Sequence, residues 1–300
     1  MNANVISIRD RKHDAITEPA PVASPIAGPH IERVRRALAN RFEVLKPLES
    51  NSHVERYLAR DGRGQTVQLK VLSARAAADE RARKQFYLEA QSASKLTHMN
   101  ILATTKAEEA SGVHFCVVEH RQDAVTLGEL LDLRGWLGGE AAAAIADQIA
   151  SALAHAHQVG VLHLQLQPKS VLIEPDGWVV VGDFGVDVER AGQRLQAANA
   201  QYTSPELAMG QMVDHRGDLY SLGAVLYEML TDRTLFDSED AAYIARKQMG
   251  FIPSPPHLIS ADVSESVSNV VMKLLERERV NRYANAAAFQ AALDAAVNQV

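Results

Sequence analysis

His163-Leu164-Gln165-Leu166-Gln167-Pro168-Lys169-Ser170-Val171-Leu172-Ile173 runs a polar loop into an apolar stretch, and the rest of the chain is ordered around it. Its two amides, Gln165 and Gln167, form hydrogen bonds but cannot accept a proton as a carboxylate would. Just beyond, residues 171–174 and 178–181 read as a short hairpin turned across Pro175-Asp176-Gly177. Just before, 140–157 is an Ala-rich amphipathic helix, and further helical periods fall near 216–231, 239–249, 264–276 and 284–297. Ahead of residue 126 the pattern changes to alternation. Strands are expected at 42–45, 54–58, 66–72, 101–106 and 113–119, with Asp61-Gly62 and Gly64 marking a turn. One helix interrupts them, with Phe86, Glu89, Ala90 and Ala93 at i, i+3, i+4, i+7 and Leu96 close to the same face. Strands with one helix, then a helical lobe, predict a two-lobed α+β domain with lobes at 31–120 and 121–300.

Residues 1–30 carry Pro19, Pro21, Pro25 and Pro29 among Ala, Ser and Gly without any period. Such a segment buries too little apolar surface to offset its ordering entropy, so a disordered tail is expected there, open also to use as a docking segment. A short helix is expected at 31–39. No internal repeat is visible. The length of 300 residues suits one or two domains, and 47% hydrophobic with 23% charged residues is ordinary for a globular chain. A net charge of −6 gives no reason to expect nucleic acid or an anionic membrane as partner. A single cysteine excludes an internal disulfide, and Cys116 in Val113-His114-Phe115-Cys116-Val117-Val118 reads as a core thiol on a strand. No stretch approaches the roughly 18 apolar residues of a membrane span, and the N-terminus has no apolar signal core. A cytoplasmic location is the expectation.

With these elements in place, the opening stretch resembles the catalytic loop of protein kinases, H-R-D-L-K-P-x-N-I-L, and the chain from about 41 to 297 is similar to the bacterial Hanks-type Ser/Thr protein kinase family. Val67-Gln68-Leu69-Lys70 resembles V-A-I-K, which implies that Lys70 is the phosphate-side lysine. Leu88-Glu89-Ala90-Gln91 resembles the helix-C segment, with Glu89 as the ion-pair partner of Lys70. Asp183-Phe184-Gly185 matches D-F-G. Tyr202-Thr203-Ser204-Pro205-Glu206 resembles Y-x-[A/S]-P-E. Asp214-His215-Arg216-Gly217-Asp218-Leu219-Tyr220-Ser221-Leu222-Gly223 resembles D-x-R-S-D-I-Y-S-L-G. By the resemblance Asp218 ties its helix to the catalytic-loop backbone, Glu206 and Arg282 form a buried ion pair, and His163 packs on Phe184. Lys70, Glu89 and Asp183 are open to two readings: a metal–nucleotide grip, or a salt bridge plus a turn acceptor.

The same resemblance exposes what has changed. The catalytic Asp position holds Gln165, the Mg²⁺-binding Asn position Ser170, the catalytic-loop Lys position Gln167, and the preceding Arg position Leu164. The three glycines of the phosphate loop become Glu49, Asn51 and Val54, although glycine there permits positive φ and close approach of N–H groups to phosphate. Arg56 and Gln68 stand where a Val and an Ala would sandwich adenine. Displacing or desolvating those two polar chains costs about 3 kcal/mol, roughly a hundredfold in affinity. The G-T-P before Tyr202 reads Ala198-Asn199-Ala200, and the only hydroxyls between Gly185 and Ser204 are those of Tyr202 and Thr203, so switching by activation-loop phosphate lacks both donor and receptor.

These losses predict a protein of kinase fold without kinase chemistry, for which neither ATP nor Mg²⁺ is an expected cofactor. Its partners would be proteins, an active kinase or a phosphoprotein among them. The candidate surfaces are the 1–30 tail, 186–203 and 236–250. Transfer by an altered chemistry using Lys70, Glu89 and Asp183, or nucleotide sensing without turnover, are the alternatives. His155 and His157 stand i, i+2 on a helix and face different ways, so no metal set is expected from them with His163. His98 is expected to be structural.

Overall fold

The computed structural model describes residues 27–48, 50–187, 200–236, 238, 240–248 and 250–298. Two compact units emerge: the chain up to Ser94 with Ala103–Gln122, and Lys95–Leu102 with the chain from Asp123 onward.

The smaller unit opens with helix α1 (Ala27–Leu38). Strands β1 (Phe42–Pro47), β2 (Val54–Asp61) and β3 (Thr66–Leu72) follow, then helices α2 (Ala74–Ala77) and α3 (Glu80–Ala93), then strands β4 (Glu108–Ala110) and β5 (Val113–Glu119). The strands form one antiparallel sheet in the order β1-β2-β3-β5-β4. The β2–β3 turn is closed by Asp61, whose Oδ1 accepts from Arg63 N at 2.9 Å and Gln65 N at 2.8 Å, while Gly64 takes φ +80°. Two-residue alternation gives the sheet a Glu55–Tyr57–Ala59 face and an Arg56–Leu58 face. The first carries Leu69, Val71 and Phe115 and merges with Ile31, Val34 and Leu38 of α1 into one apolar layer.

The larger unit runs β6 (Val125–Thr126), α4 (Leu127–Arg134), α5 (Gly139–Gln158), β7 (Val161–Leu162), β8 (Val171–Ile173), β9 (Val179–Val181), β10 (Val186–Asp187), α6 (Pro205–Ala208), α7 (Arg216–Thr231), α8 (Ala241–Lys247), α9 (Glu265–Leu274) and α10 (Ala286–Val297). Small sheets β6-β8-β9 and β10-β7 flank the loop between β7 and β8. α4 starts with a capping box in which Glu129 N donates to Thr126 Oγ1 and Thr126 N donates back to Glu129 Oε2. The core is built on α5 and α7, with Ile145, Ile149, Leu153, Leu222 and Leu226 essentially inaccessible. α7 lies so close to α9 that a Cβ on Gly223 would stand 2.7 Å from Leu274 Cβ. Among the described residues no helix is long and apolar enough to cross a membrane.

Three expectations need correction. Residues 27–30 belong to α1 rather than to the tail, and Pro29 is compatible because the first helical turn needs no N–H partner there. The strand expected at 101–106 reduces to two isolated bridges, Ile101 to Val181 and Thr104 to Val118. Ile101 there belongs to the larger unit, since Leu102 N donates to Val181 O and Val181 N to Asn100 O. The helix expected at 239–249 is shorter, 241–247, begun by Asp240, whose Oδ1 accepts from Ala242 N and Tyr243 N. Residues 1–26, Glu49 and 188–199 lie outside the described residues, so expectations placed on them are neither met nor corrected.

Candidate active site

In the larger unit the loop between β7 and β8 is held by one carboxylate. Asp218, fully inaccessible on α7, accepts from Leu164 N at 2.7 Å, His163 N at 2.9 Å and His157 Nε2 at 2.7 Å. Burial alone would push its carboxyl upward, but the hydrogen bond from His157, the neighbouring imidazoles and the His163 N–H together hold it below the ordinary range. The anchor lets Leu164 keep a left-handed φ of 58°, an uncommon backbone for a non-glycine residue. His163 is also inaccessible. Its Nε2 donates to Gly182 O at 2.8 Å, its Nδ1 accepts from Gln165 N at 3.3 Å, and its ring lies 4.6 Å from that of Phe184. Burial lowers the imidazole's pKa against the pull of Asp218 and Asp183, so the ring is neutral with its tautomer set.

The side chains this loop presents are of another kind. Gln165 is exposed, Gln167 half-buried. Ser170 is buried, and its hydroxyl donates to Gln167 O at 2.8 Å while accepting from Gln167 N at 3.2 Å. The hydroxyl is thus spent on closing its own loop. Leu164 packs into a small apolar cluster with Leu162 and Val213, edged by Leu207. Asp183 is exposed with φ 59°.

Further along, Arg282 and Glu206 form a bidentate pair at 2.7 and 2.8 Å, and Arg282 also donates to the carbonyls of Glu276, Arg216 and Arg277. All five guanidinium N–H groups are used, and the group lies 5.0 Å over the Tyr220 ring. The stretch before Glu206 is pinned as well: Tyr202 Oη donates to Glu228 Oε2 at 2.7 Å, and Gln248 Nε2 donates to Thr203 O at 2.7 Å.

In the smaller unit Lys70 lies directly across from Arg56, and Gln68 across from Leu58, so all four share the sheet face opposite Glu55. Arg56, Gln68 and Lys70 are each half-buried. Gln68 Nε2 reaches His120 Nδ1 at 3.5 Å. Glu89 on α3 accepts from Gln85 Nε2 at 2.8 Å. Gln85, one helical turn earlier, offers Glu89 a local donor. The segment in place of the phosphate loop is folded onto itself. Asn51 Oδ1 accepts from His53 N at 2.9 Å and Val54 N at 2.8 Å, Asn51 N donates to Val54 O, and Ser50 Oγ accepts from Arg56 N. Of these backbone donors, His53 N, Val54 N and Arg56 N are bonded to side chains and Asn51 N to a carbonyl.

Within the larger unit Ser170, at a position where the resemblance expects a metal-holding Asn, turns its hydroxyl inward. Within the smaller unit the N–H groups of Asn51, His53, Val54 and Arg56 are already bonded. Among the described residues no group of three or more His, Cys, Asp or Glu side chains is placed to hold a metal ion. His155 stacks on His98 at 5.1 Å, and His157 serves Asp218.

Comparison with known proteins gives this geometry its family. The family description "Protein kinase domain" matches residues 50–293. This chain belongs to the bacterial Hanks-type protein kinase family. The serine/threonine-protein kinase PrkC of Bacillus subtilis is 32% identical over 259 residues, which is 84% of this chain and 40% of PrkC. PknB of Mycolicibacterium smegmatis is 35% identical over 267 residues, 85% of this chain and 43% of PknB. The chain thus spans about two-fifths of the length of these relatives. The crystal structure of the PknI kinase domain of Mycobacterium tuberculosis matches with a TM-score of 0.70 at 24% identity, covering 86% of this chain and 96% of that one. The fold is that of a kinase, with a β-sheet N-lobe and a helical C-lobe.

Three functional contacts escaped the sequence reading. The Asn51 turn had a local signal, since asparagine commonly bonds backbone N–H groups just ahead of it. The His157–Asp218 bond had none, because its partners are 61 positions apart. The grip of α1 on Glu55, through His30 and Arg33, was hidden by assigning residue 30 to a tail.

Proposed function

We propose that this chain is a pseudokinase, a kinase fold that acts by binding protein rather than by transferring phosphate. The observation that carries the reading is the catalytic loop. Asp218 holds its backbone, but the side chains presented are an exposed amide at Gln165 and a serine hydroxyl folded back on Gln167. Losing a general base alone costs about 10²–10⁴-fold in rate. Losing a metal ligand and phosphate contacts removes more of the electrostatic stabilisation on which phosphoryl transfer depends. Leu164, set among Val213 and Leu207, replaces a phosphate receptor by an apolar contact. The chain then serves as scaffold or allosteric regulator, in the cytoplasm, for an active kinase or a phosphoprotein, and neither ATP nor Mg²⁺ is required.

One observation favours a second reading. Asp183-Phe184-Gly185 keeps its sequence, and Phe184 packs at a tilt against His163. With Lys70 and Glu89, Asp183 would support weak or atypical phosphoryl or nucleotidyl transfer, or nucleotide sensing without turnover. Thermal unfolding with and without millimolar ATP, ADP and Mg²⁺ or Mn²⁺ separates these. A ligand at about one hundred times its Kd adds about 2.7 kcal/mol, a shift of a few degrees for a domain of this size. The pseudokinase reading expects no shift. A metal-dependent shift without turnover would instead mean a sensor, and phosphotransfer abolished by Lys70→Ala and Asp183→Asn would mean an enzyme.

A further inference from the structure

Helix α1 precedes the residues matched by the kinase family description, yet it packs on the sheet of the smaller unit. Ile31, Val34 and Leu38 stand at i, i+3, i+7, and all three are buried against the sheet face that carries Tyr57 and Phe115. At one end of this contact is Glu55, only 5% exposed. Its carboxylate meets His30 Nδ1 at 3.1 Å, accepts from Tyr57 Oη at 2.8 Å and lies 3.8 Å from Arg33 Nη2. A carboxylate on an otherwise apolar sheet surface is costly under any cover that brings no cation, so this face selects a helix with apolar residues at that spacing and positive charge at one end.

The resident helix meets that demand imperfectly. Arg33 Nε and Nη2 are buried without a hydrogen-bond partner, and the 3.8 Å approach to Glu55 is too long to be one. The first turn holds no acidic residue to offset the helix dipole, and it contains Gly28. Three buried apolar side chains must hold twelve residues in order. Beyond the contacts to Glu55, Arg35 ties the C-terminal half by donating to Val44 O and Leu45 O.

We propose that the Glu55 face of the small-lobe sheet is a helix-binding groove. α1 occupies it as a strap, and a protein partner docks by placing its own amphipathic helix there, with apolar residues at i, i+3, i+7 and a cation over Glu55. This deepens the pseudokinase reading by naming the surface through which a partner is engaged. The groove itself does not depend on whether nucleotide binds.

The test uses the full chain without nucleotide, so its outcome is separate from that of the nucleotide experiment. Amide hydrogen exchange of the unaltered protein should show α1 exchanging at least about tenfold faster than β2 and β3, the mark of an opening short of global unfolding. A fluorescent peptide of residues 27–38 should bind the Val34→Asp chain, whose own helix is released, at least about tenfold more tightly than it binds the unaltered chain. Adding Glu55→Gln should weaken that binding. Equal exchange rates in α1, β2 and β3 would overturn the proposal, as would a cooperatively folded Val34→Asp chain that fails to bind the peptide. If Val34→Asp does not fold, α1 is a fixed structural layer and the proposal likewise falls. Exchange of α1 between copies, seen as a concentration-dependent dimer by sedimentation, would overturn the assignment of the groove to a partner protein.

Discussion

The neutral, buried imidazole of His163 makes a quantitative prediction about acid. In the folded protein its Nε2–H is committed to Gly182 O and its Nδ1 receives the Gln165 N–H, so a second proton would have to break the latter bond in an inaccessible site. Burial holds its pKa below the ordinary value in the folded state, while the unfolded chain titrates near the usual value of about 6.5. Between about pH 6.5 and the depressed folded value the unfolded state binds a proton that the folded state refuses, so stability falls as pH falls. The limiting slope for one such group is about 1.4 kcal/mol per pH unit. Replacing His163→Phe keeps an aromatic ring against Phe184 but removes both hydrogen bonds, which lowers stability by roughly 1–3 kcal/mol at neutral pH. It also removes this group's pH dependence. His98, whose pKa is lowered by burial and by His155, acts in the same direction, so the variant keeps a smaller residual slope. Asp218 and Asp214, both held low, act only in stronger acid, where protonating them removes further stability. The assay is urea unfolding at about pH 7.5, 6.5 and 5.5, with the free energy plotted against pH. Equal slopes for the unaltered protein and His163→Phe, or a stability flat from about pH 6.5 to 5.5, would refute the reasoning.

The remaining predictions concern packing, ion pairing and the nucleotide position. Arg282→Lys cannot reproduce five directed N–H bonds and should destabilise by about 3–5 kcal/mol, lowering Tm by roughly 10 °C in a calorimetric scan, whereas a solvent-exposed pair would lose less than about 1 kcal/mol. Gly223→Ala places a Cβ 2.7 Å from Leu274 Cβ, a side-chain stem that cannot swing away, and should cost about 1–3 kcal/mol in urea unfolding. Asn51→Gly alone should give no ATP-dependent thermal shift, because Arg56 and Gln68 remain. The combined Asn51→Gly, Arg56→Val and Gln68→Ala chain should bind ATP roughly a hundredfold better than the unaltered protein, read as a nucleotide-dependent rise in Tm.

Most of the fold was legible because it depends on local patterns. The helix expected at 216–231 is found at those residues, since its apolar period is unbroken, and the hairpin at 171–181 has its turn written in Pro175-Asp176-Gly177. The failures have a common physical cause. Ile101 to Lys106 has strand-like composition, but pairing was claimed at only two positions, each on a different neighbour. Residues 27–30 look like tail by composition and become helix because Ile31, Val34 and Leu38 find an apolar sheet face. The hydrogen bond from Gln85 to Glu89 was likewise not foreseen from the motif. In each case a partner that the local pattern does not name decided the outcome.

The site divides along the same line. Which residues stand at the catalytic positions is a matter of sequence alone, and Gln165, Ser170, Asn51 and Arg56 could be named without coordinates. What those residues do instead could not. Ser170 is a poor metal ligand by its chemistry, but its hydroxyl is withdrawn because it closes a turn with Gln167. Asn51 is not merely a missing glycine, because its side chain takes the N–H groups of His53 and Val54. Meanwhile the three bonds to Asp218 and the five-donor setting of Arg282 hold the loop and the large lobe with main-chain and architectural groups that do not depend on the lost side chains. The groups that hold the loop are not the side chains at the catalytic positions, so those side chains can differ from the family pattern without unfolding the framework.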